Sequence, residues 1–240
     1  TILDILKKKG SNKINLYKKS INLLIKIQKI KQNKTKNFKG KNYKIPIYNK
    51  TKLFAETKLF LDWYAKKYLS KNKKLKFNIE IKKQIRFLLS KLKLKNNIFV
   101  HRDFHISNLI RYKKQIATID TQDALIGNRA YDLASLIDDV RFKSSKEFKD
   151  RIYNYYLKLN KKQINEDIFQ NDFEILSVLR NMKIIGIFTR LAVRDKKNIY
   201  LKLIPYTWKL IELRIKNNKI FHDLKKILDF NFSKEIRNLK

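Results

Sequence analysis

The stretch FVHRDFHISNLIRYKKQIATIDTQDALIGNRAYDLASLIDDV, residues 99–140, decides the fold that we expect of this chain. It holds two of the three histidines, a series of aspartates and one of the four glycines. An apolar run at residues 98–100 predicts a short buried strand. Residues 108–112 and 116–119 predict a hairpin around a lysine turn, and residues 130–141 predict a helix. Loops at strand ends can present polar side chains to a cleft, so we expect the functional residues here.

The composition of the 240 residues limits the classes of protein to which the chain can belong. Four glycines and two prolines support few tight turns and no glycine-rich phosphate loop, so a mostly helical chain is expected. The absence of cysteine excludes disulfides and thiolate metal sites. No apolar run reaches the roughly 18 residues that span a bilayer, and the first residues lack the order of a secretory signal. We expect a cytoplasmic protein without a membrane partner.

The formal net charge of +37 has two interpretations. The first is binding to nucleic acid or an anionic membrane. The second is a set of solvated helix faces in a chain biased towards lysine, asparagine and isoleucine. The lysines form neither one patch nor a repeat, so the second is favoured and no nucleic-acid partner is expected. A basic surface still favours anionic ligands such as ATP, and the sequence leaves the oligomeric state open.

Apolar residues recur at helical spacing on both sides of the central stretch. Ser11 is the expected N-cap of the first long helix, and residues 32–50 are expected to form a connector because they hold glycine, proline and several asparagines. Gly186 lies inside the longest helix, where glycine costs about 1 kcal/mol, so a close helix contact is expected there. The first long helix is predicted to begin at residue 12, and the last one at residue 220. Between them, helices are predicted at 51–69, 79–94, 146–159, 173–194 and 199–217.

Three polar residues of the central stretch suit the binding of a phosphate donor and a hydroxyl acceptor. Asp103 lies in a loop after the first strand, where an aspartate can orient a hydroxyl nucleophile and take its proton. Asn108 offers an amide oxygen, a hard ligand suited to magnesium. Asp120 ends the second strand of the predicted hairpin, which would bring its carboxylate beside Asn108. Substrate phosphate and water would complete such a magnesium site.

The remaining polar residues of the stretch have more than one interpretation. Asp123 can share the metal or pair with Arg102. Asp132 lies in the first turn of a predicted helix, where an acid contributes about 0.3–1 kcal/mol, and a buried aspartate there can also accept hydrogen bonds from the backbone of the preceding loop. His101 and His105 would need a helix to converge on zinc, whereas this segment is predicted as a loop. Structural histidines are therefore favoured over a zinc site.

Residues 101–109, 119–124 and 127–134 together resemble the aminoglycoside phosphotransferase and choline kinase family, which has a protein-kinase-like fold. The resemblance implies that Asp103 is the catalytic aspartate and that Asn108 and Asp120 hold magnesium. It also implies that Asp132, with His101, braces the catalytic loop. The cofactors implied are ATP and Mg²⁺.

Within that family the chain resembles most the bacterial kinases of the cell-wall amino sugars N-acetylmuramate and N-acetylglucosamine. Residues 56–64, 120–124, 180–191 and 200–205 carry this likeness. It implies phosphorylation of the anomeric hydroxyl, with an aminoglycoside- or choline-type kinase, or a non-catalytic basic remnant that binds RNA or another partner, as alternatives. The substrate-binding residues that it implies are Glu56, Trp63, His105, Gln122, Asp123, Arg180 and Arg190.

The expected fold class is α+β and mostly helical, the C-terminal lobe of a protein-kinase-like fold with a short catalytic-loop hairpin. We expect one domain over residues 1–240: a hinge at 1–10, a helical part at 11–95, a catalytic core at 96–141 and C-terminal helices at 142–240. The family's N-terminal lobe, with its small sheet and nucleotide-gripping lysine, is not recognisable in the sequence. The chain is therefore expected to be a fragment, one part of a split gene or a remnant.

Overall fold

A computed structural model describes residues 1–8, 12–31, 33–36 and 38–239. The mostly helical α+β class is confirmed. The chain divides into two compact units, the first formed by Thr1–Asn49 and Lys93–Phe173, and the second by Lys50–Leu92 and Glu174–Lys240. None of the described helices has both the length and the apolar character needed to cross a membrane.

The elements follow one another in three groups. The first group is α1 (Ile2–Lys7), α2 (Lys13–Gln28), β1 (Lys34–Lys36), β2 (Asn42–Lys44), α3 (Lys50–Thr57), a π-helical segment (Phe60–Ala65), α4 (Lys66–Tyr68) and α5 (Lys71–Ser90). The second is β3 (Asn96–Val100), β4 (Leu109–Tyr112), β5 (Gln115–Thr118), β6 (Leu125–Asn128), α6 (Ala130–Ile137), α7 (Lys146–Asn160) and α8 (Glu166–Val193). The third is a 3₁₀ turn (Asn198–Leu203), α9 (Ile204–Ile215), a second 3₁₀ turn (Lys219–Phe221), α10 (His222–Asn231) and α11 (Lys234–Asn238).

The strands of the first unit form antiparallel pairs among the described residues. β4 and β5 make the predicted hairpin, with Leu109 opposite Thr118, and bury Leu109 and Ile116 on one side of the ribbon. β3 pairs with β6, and a register shift between Asn96 and Ile98 interrupts the ladder. The strand predicted at residues 98–100 is thus confirmed and begins two residues earlier. The two pairs place the loop between β3 and β4 beside the start of α6.

A buried carboxylate fixes the entry into β3. Asp172, on α8, accepts hydrogen bonds from the backbone N–H groups of Lys93 and Leu94, with the shorter contacts at 2.9 and 2.8 Å. It also accepts a 2.6 Å bond from the side-chain amide of Asn128 at the end of β6. A buried charge is tolerated only when it is hydrogen-bonded, and these donors meet that need. Asp172 thereby ties the ends of both paired strands to one helix.

In the second unit, α8 meets the start of the π-helical segment at Gly186. A Cβ atom at this position would collide with the carbonyl group of Leu59 and the amide nitrogen of Phe60. The close helix contact that the sequence predicted for Gly186 is therefore confirmed. Next to it, the rings of Phe60, Tyr64 and Trp208 pack within 6 Å of one another, and the indole N–H of Trp208 donates to the Tyr64 hydroxyl.

Several sequence-based element boundaries were wrong. The helix predicted at 51–69 is divided into α3, the π-helical segment and α4, and Gly186 lies against the start of that segment. The connector at 32–50 contains β1 and β2, and β6 lies at Leu125–Asn128, where no strand was predicted. The helix predicted at 130–141 ends at Ile137.

Three further helices have other bounds than predicted. The helix predicted at 79–94 is α5 at Lys71–Ser90, the one predicted at 173–194 begins at Glu166, and the one predicted at 199–217 is a 3₁₀ turn followed by α9.

The cap of α2, at the N-terminal end of the chain, also differs from the prediction. Asn12, rather than Ser11, caps α2 through a 3.0 Å hydrogen bond to the N–H of Asn15. Ser11 lies outside the described residues. Of the hinge predicted at 1–10, residues 2–7 form α1, whereas residues 9 and 10 lie outside the described part of the chain.

For a substitution at Gly186, packing and helix propensity predict opposite changes in the free energy of unfolding. Propensity alone predicts that Gly186→Ala stabilises the protein by about 1 kcal/mol. The collision with Leu59 and Phe60 predicts instead a loss of about 1–3 kcal/mol, the typical cost of overpacking. Urea unfolding of the full-length protein measures the difference. An increase in the free energy of unfolding would contradict the close contact.

Candidate functional site

The loop from His101 to Asn108 joins β3 to β4 and is held at its start by Asp132. The Asp132 carboxylate accepts hydrogen bonds from the backbone N–H of His101 at 2.7 Å and from that of Arg102 at 2.9 Å. Asp132 lies in the first turn of α6 and is 1% exposed. Arg102 has φ +73°, a left-handed conformation that costs a non-glycine residue about 1–3 kcal/mol. The two hydrogen bonds offset that strain, and they thereby fix the position of the next residue, Asp103.

Asp103 and Asn108 are joined across the loop. The side-chain amide of Asn108 donates to the carbonyl oxygen of Asp103 at 3.1 Å, and the backbone N–H of His105 donates to the same oxygen at 2.9 Å. Both Asp103 and Asn108 are partly exposed. Because the Asn108 nitrogen is used inside the loop, its side-chain oxygen is the atom that can bind a metal.

Asp120 lies at the same end of the hairpin as Asn108. The N–H of Ile119 donates to the carbonyl oxygen of Asn108 at 3.0 Å and so extends the β4–β5 ladder by one residue. Asp120 follows with φ +66° and an exposed side chain. Among the described residues no group of three or more histidine, aspartate and glutamate side chains could hold a metal. An amide and a carboxylate fit Mg²⁺, which keeps most of its ligands from water and phosphate.

Asp123, which follows the hairpin, contacts Arg102 through the Asp123 main-chain carbonyl group. Arg102 donates from Nη1 to the carbonyl oxygen of Asp123 at 3.1 Å, and its guanidinium lies 5.3 Å from the ring centroid of Tyr48. The side chains of Asp123 and of its neighbour Gln122 are exposed. These contacts fix the path of the residues that follow Asp120.

His101 is a buried member of the loop. It is 0% exposed, and its Nε2 lies 3.0 Å from the carbonyl oxygen of Ile119 and 2.7 Å from the hydroxyl of Thr118. Burial lowers the pKa of the His101 imidazole, because the charged form loses its hydration, and the carbonyl of Ile119 opposes that effect. His105 is also buried.

Two adjacent acids that the sequence analysis did not single out lie behind the loop. Asp139 is 1% exposed and accepts a 3.1 Å hydrogen bond from the backbone N–H of Ile106. Asp138 forms a buried 3.1 Å ion pair with Lys149. The sequence assigned both acids to a helix that extends to residue 141. Acids near a helix C-terminus are unfavourable, and this conflict could have indicated that the helix ends earlier.

The remaining predicted residues lie in the second unit. Glu56 forms a 2.6 Å ion pair with Lys183, and both side chains are largely buried. Arg180 is 4% exposed. Trp63 is half-buried and lines a cavity of about 390 Å³, together with Leu61, Asp62, Lys66, Lys74 and Asn78. Arg190 lies in the last turn of α8. The structure thus brings the predicted catalytic and metal-binding residues together in the first unit, and it gives Glu56 a structural partner.

Comparisons with known proteins show which proteins the chain is similar to. The chain is 32% identical over 166 residues to an N-acetylmuramate/N-acetylglucosamine kinase of Neisseria meningitidis serogroup B, covering 67% of this chain and 50% of that protein. It is 29% identical over 192 residues to the Pseudomonas aeruginosa protein of the same name, covering 77% and 56%. The chain therefore spans about half the length of the curated relatives that it matches.

The fold is similar to that of a solved structure. The structure of Plasmodium vivax ethanolamine kinase matches with a TM-score of 0.54 at 15% identity, covering 88% of this chain and 61% of that one. This likeness confirms the kinase-like fold. A family profile described as the phosphotransferase enzyme family (APH) matches residues 15–166, more than half of the chain. The chain belongs to the phosphotransferase enzyme family.

Proposed function

We propose that the protein transfers the γ-phosphoryl group of ATP to the anomeric hydroxyl of a cell-wall amino sugar, N-acetylmuramate or N-acetylglucosamine. The observation that carries the proposal is the loop in which Asp103 and Asn108 are hydrogen-bonded to each other, with Asp120 at the adjacent hairpin end. The names of the relatives from Neisseria and Pseudomonas support the sugar. We place the reaction in the cytoplasm, where ATP is available.

Asp103 has the role of orienting the nucleophile. Its carboxylate accepts a hydrogen bond from the sugar hydroxyl and takes the proton as the oxygen bonds to the γ-phosphorus. The bond from the γ-phosphorus to the bridging oxygen breaks, and ADP leaves with the electron pair. The two hydrogen bonds to the Asp103 carbonyl oxygen hold the main chain of this residue in place while that happens.

Asn108 and Asp120 have the role of holding Mg²⁺. The amide oxygen of Asn108 and the carboxylate of Asp120 supply hard oxygen ligands, and the phosphates of the nucleotide supply others. When bound, the ion neutralises the negative charge of the phosphate oxygens. Asp132 and His101 keep the loop in the conformation that presents these residues.

The charge of the chain favours this substrate class over its alternatives. Lys and Arg number 58 against 21 Asp and Glu, so the surrounding field attracts ATP and the carboxylate of N-acetylmuramate. Aminoglycosides and choline are cationic and would need an acidic pocket. A non-catalytic basic protein that binds RNA is the remaining alternative. It would show steeply salt-dependent RNA binding and no phosphate transfer.

The catalytic assignment predicts that Asp103→Asn lowers phosphate transfer from ATP to N-acetylmuramate by about 100-fold or more, since the general base is lost. The measurement is the initial rate of ADP release by the full-length protein. The matched control is Asp150→Asn, which neutralises an exposed aspartate paired with Lys146 on α7 and should leave the rate unchanged. Equal activity of the Asp103 variant and the wild type would contradict the role of Asp103.

The burial of His101 predicts a loss of stability in acid. An imidazole whose pKa is lowered in the folded state takes up a proton more readily when unfolded. The free energy of unfolding should therefore fall as the pH drops below about 6.5, the ordinary pKa of histidine. Urea unfolding between about pH 5 and 8 measures this slope.

Two variants test whether His101 is the group responsible for the fall in the free energy of unfolding at low pH. His101→Gln cannot take up the proton and should make the pH dependence shallower. His222→Gln, which changes an exposed histidine on α10, should leave it as in the wild type. A His101→Gln protein with the full wild-type slope would show that another group is responsible.

A further inference from the structure

We propose that Asp139 is a positioning residue for the metal ligand Asn108, a role that rests on the proposed function. Asp139 lies two residues beyond the end of α6, and its carboxylate accepts a hydrogen bond from the N–H of Ile106. Ile106 belongs to the loop and precedes Asn108 by two residues. Asp132 holds the start of the same loop, before Asp103. The loop thus has one carboxylate anchor ahead of each of its two functional residues.

The hydrogen bonds around Ile106 connect the Asp139 carboxylate to the position of Asn108. The N–H of Asn108 donates to the carbonyl oxygen of His105 at 2.9 Å, which closes a tight turn around Ile106. The carbonyl oxygen of Ile106 in turn accepts a 3.2 Å bond from the N–H of Leu3 on α1. Both backbone groups of Ile106 are therefore bonded, and its side chain is 0% exposed. A turn held on both sides fixes the direction in which the Asn108 side chain leaves it.

The chemistry of the anchor requires a carboxylate. One oxygen of Asp139 accepts from Ile106, and the other accepts from the N–H of Arg141 at 3.0 Å and from its guanidinium at 3.1 Å. Each oxygen thus faces donors. An asparagine has nearly the same shape but carries N–H donors on one side, so it would leave either Ile106 or Arg141 facing another donor. A buried donor without an acceptor is costly, so the turn would shift.

Loss of the Asp139 anchor is expected to affect metal binding rather than sugar binding. Residues that orient metal ligands from behind typically change metal affinity by about 10–100-fold when they are substituted. Asp139→Asn should therefore weaken Mg²⁺ binding by about that factor while it leaves the KM for the sugar within about threefold. A change that merely loosened the whole fold would affect both quantities together.

The experiment compares Asp139→Asn with Asp172→Asn in the full-length protein. Asp172 is the matched control, because it is also a buried carboxylate that accepts two backbone N–H groups, at the entry to β3 rather than in the catalytic loop. Metal affinity is measured by Mn²⁺ titration, followed by electron paramagnetic resonance, with a non-hydrolysable ATP analogue present. Hydrogen exchange at the Ile106 amide reports directly on the anchor.

The expected result is a Mn²⁺ affinity that falls at least about 10-fold and an Ile106 amide that exchanges at least about 10-fold faster in Asp139→Asn. Asp172→Asn should lower the melting temperature without either effect. If Asp139→Asn does not fold, Arg141→Met removes the guanidinium that donates to Asp139 and changes a partly exposed side chain. It should lower the Mn²⁺ affinity as well, by a smaller factor than about 10-fold.

An unchanged Mn²⁺ affinity in the folded Asp139→Asn protein would overturn the proposal, whether or not the Ile106 amide exchanges faster. So would an equal loss in Asp172→Asn. A failure of the proposed function would give a different result, because the wild type would then transfer no phosphate to either amino sugar. In that case the Mn²⁺ affinities and the exchange rates still decide the role of Asp139, because neither depends on turnover.

Discussion

The carboxylate of Asp132 accepts hydrogen bonds from two consecutive backbone N–H groups, those of His101 and Arg102, and the arrangement of the loop that follows depends on them. β3 ends at Val100, and the chain that follows it has no regular ladder to continue, since Arg102 is left-handed. Without an acceptor its N–H groups would be buried and unpaired, at a cost of about 1–3 kcal/mol each. One buried side chain satisfies both, so the chain can turn sharply after β3 and expose Asp103.

The same device recurs at two other points in the first unit. Asp139 holds the N–H of Ile106, and Asp172 holds those of Lys93 and Leu94. A chain with four glycines has few residues that turn at low cost. In the described residues, Arg102, Lys113, Asp120 and Lys196 adopt positive φ without being glycine. Of these four, Arg102 has its N–H bonded to the buried carboxylate of Asp132, and that bond offsets its strain.

Periodicity was sufficient to predict the β4–β5 hairpin, because Leu109 and Ile116 are buried in register and a lysine turn separates the strands. It could not reveal β6, whose four residues include Gly127 and depend on pairing with the distant β3. Nor could it show the π-helical segment, since Phe60, Leu61 and Tyr64 are apolar at ordinary helical spacing and the contact of this segment with Gly186 is distant in sequence. In the candidate site, Asp103, Asn108 and Asp120 were predicted by their spacing. Asp139 was not, since its role depends on where α6 ends.

The distribution of charge connects these buried acids to the proposed chemistry. Six of the 21 acidic residues lie between residues 99 and 140, namely Asp103, Asp120, Asp123, Asp132, Asp138 and Asp139. Asp132, Asp138 and Asp139 are buried, and their charge is stabilised inside the fold by backbone N–H groups, Lys149 or Arg141. Asp103, Asp120 and Asp123 are partly or fully exposed. A basic surface attracts ATP, but exposed carboxylates would repel its phosphates at close range. A divalent cation between them removes that repulsion, so the proposed Mg²⁺ follows from the charges as well as from the ligand types.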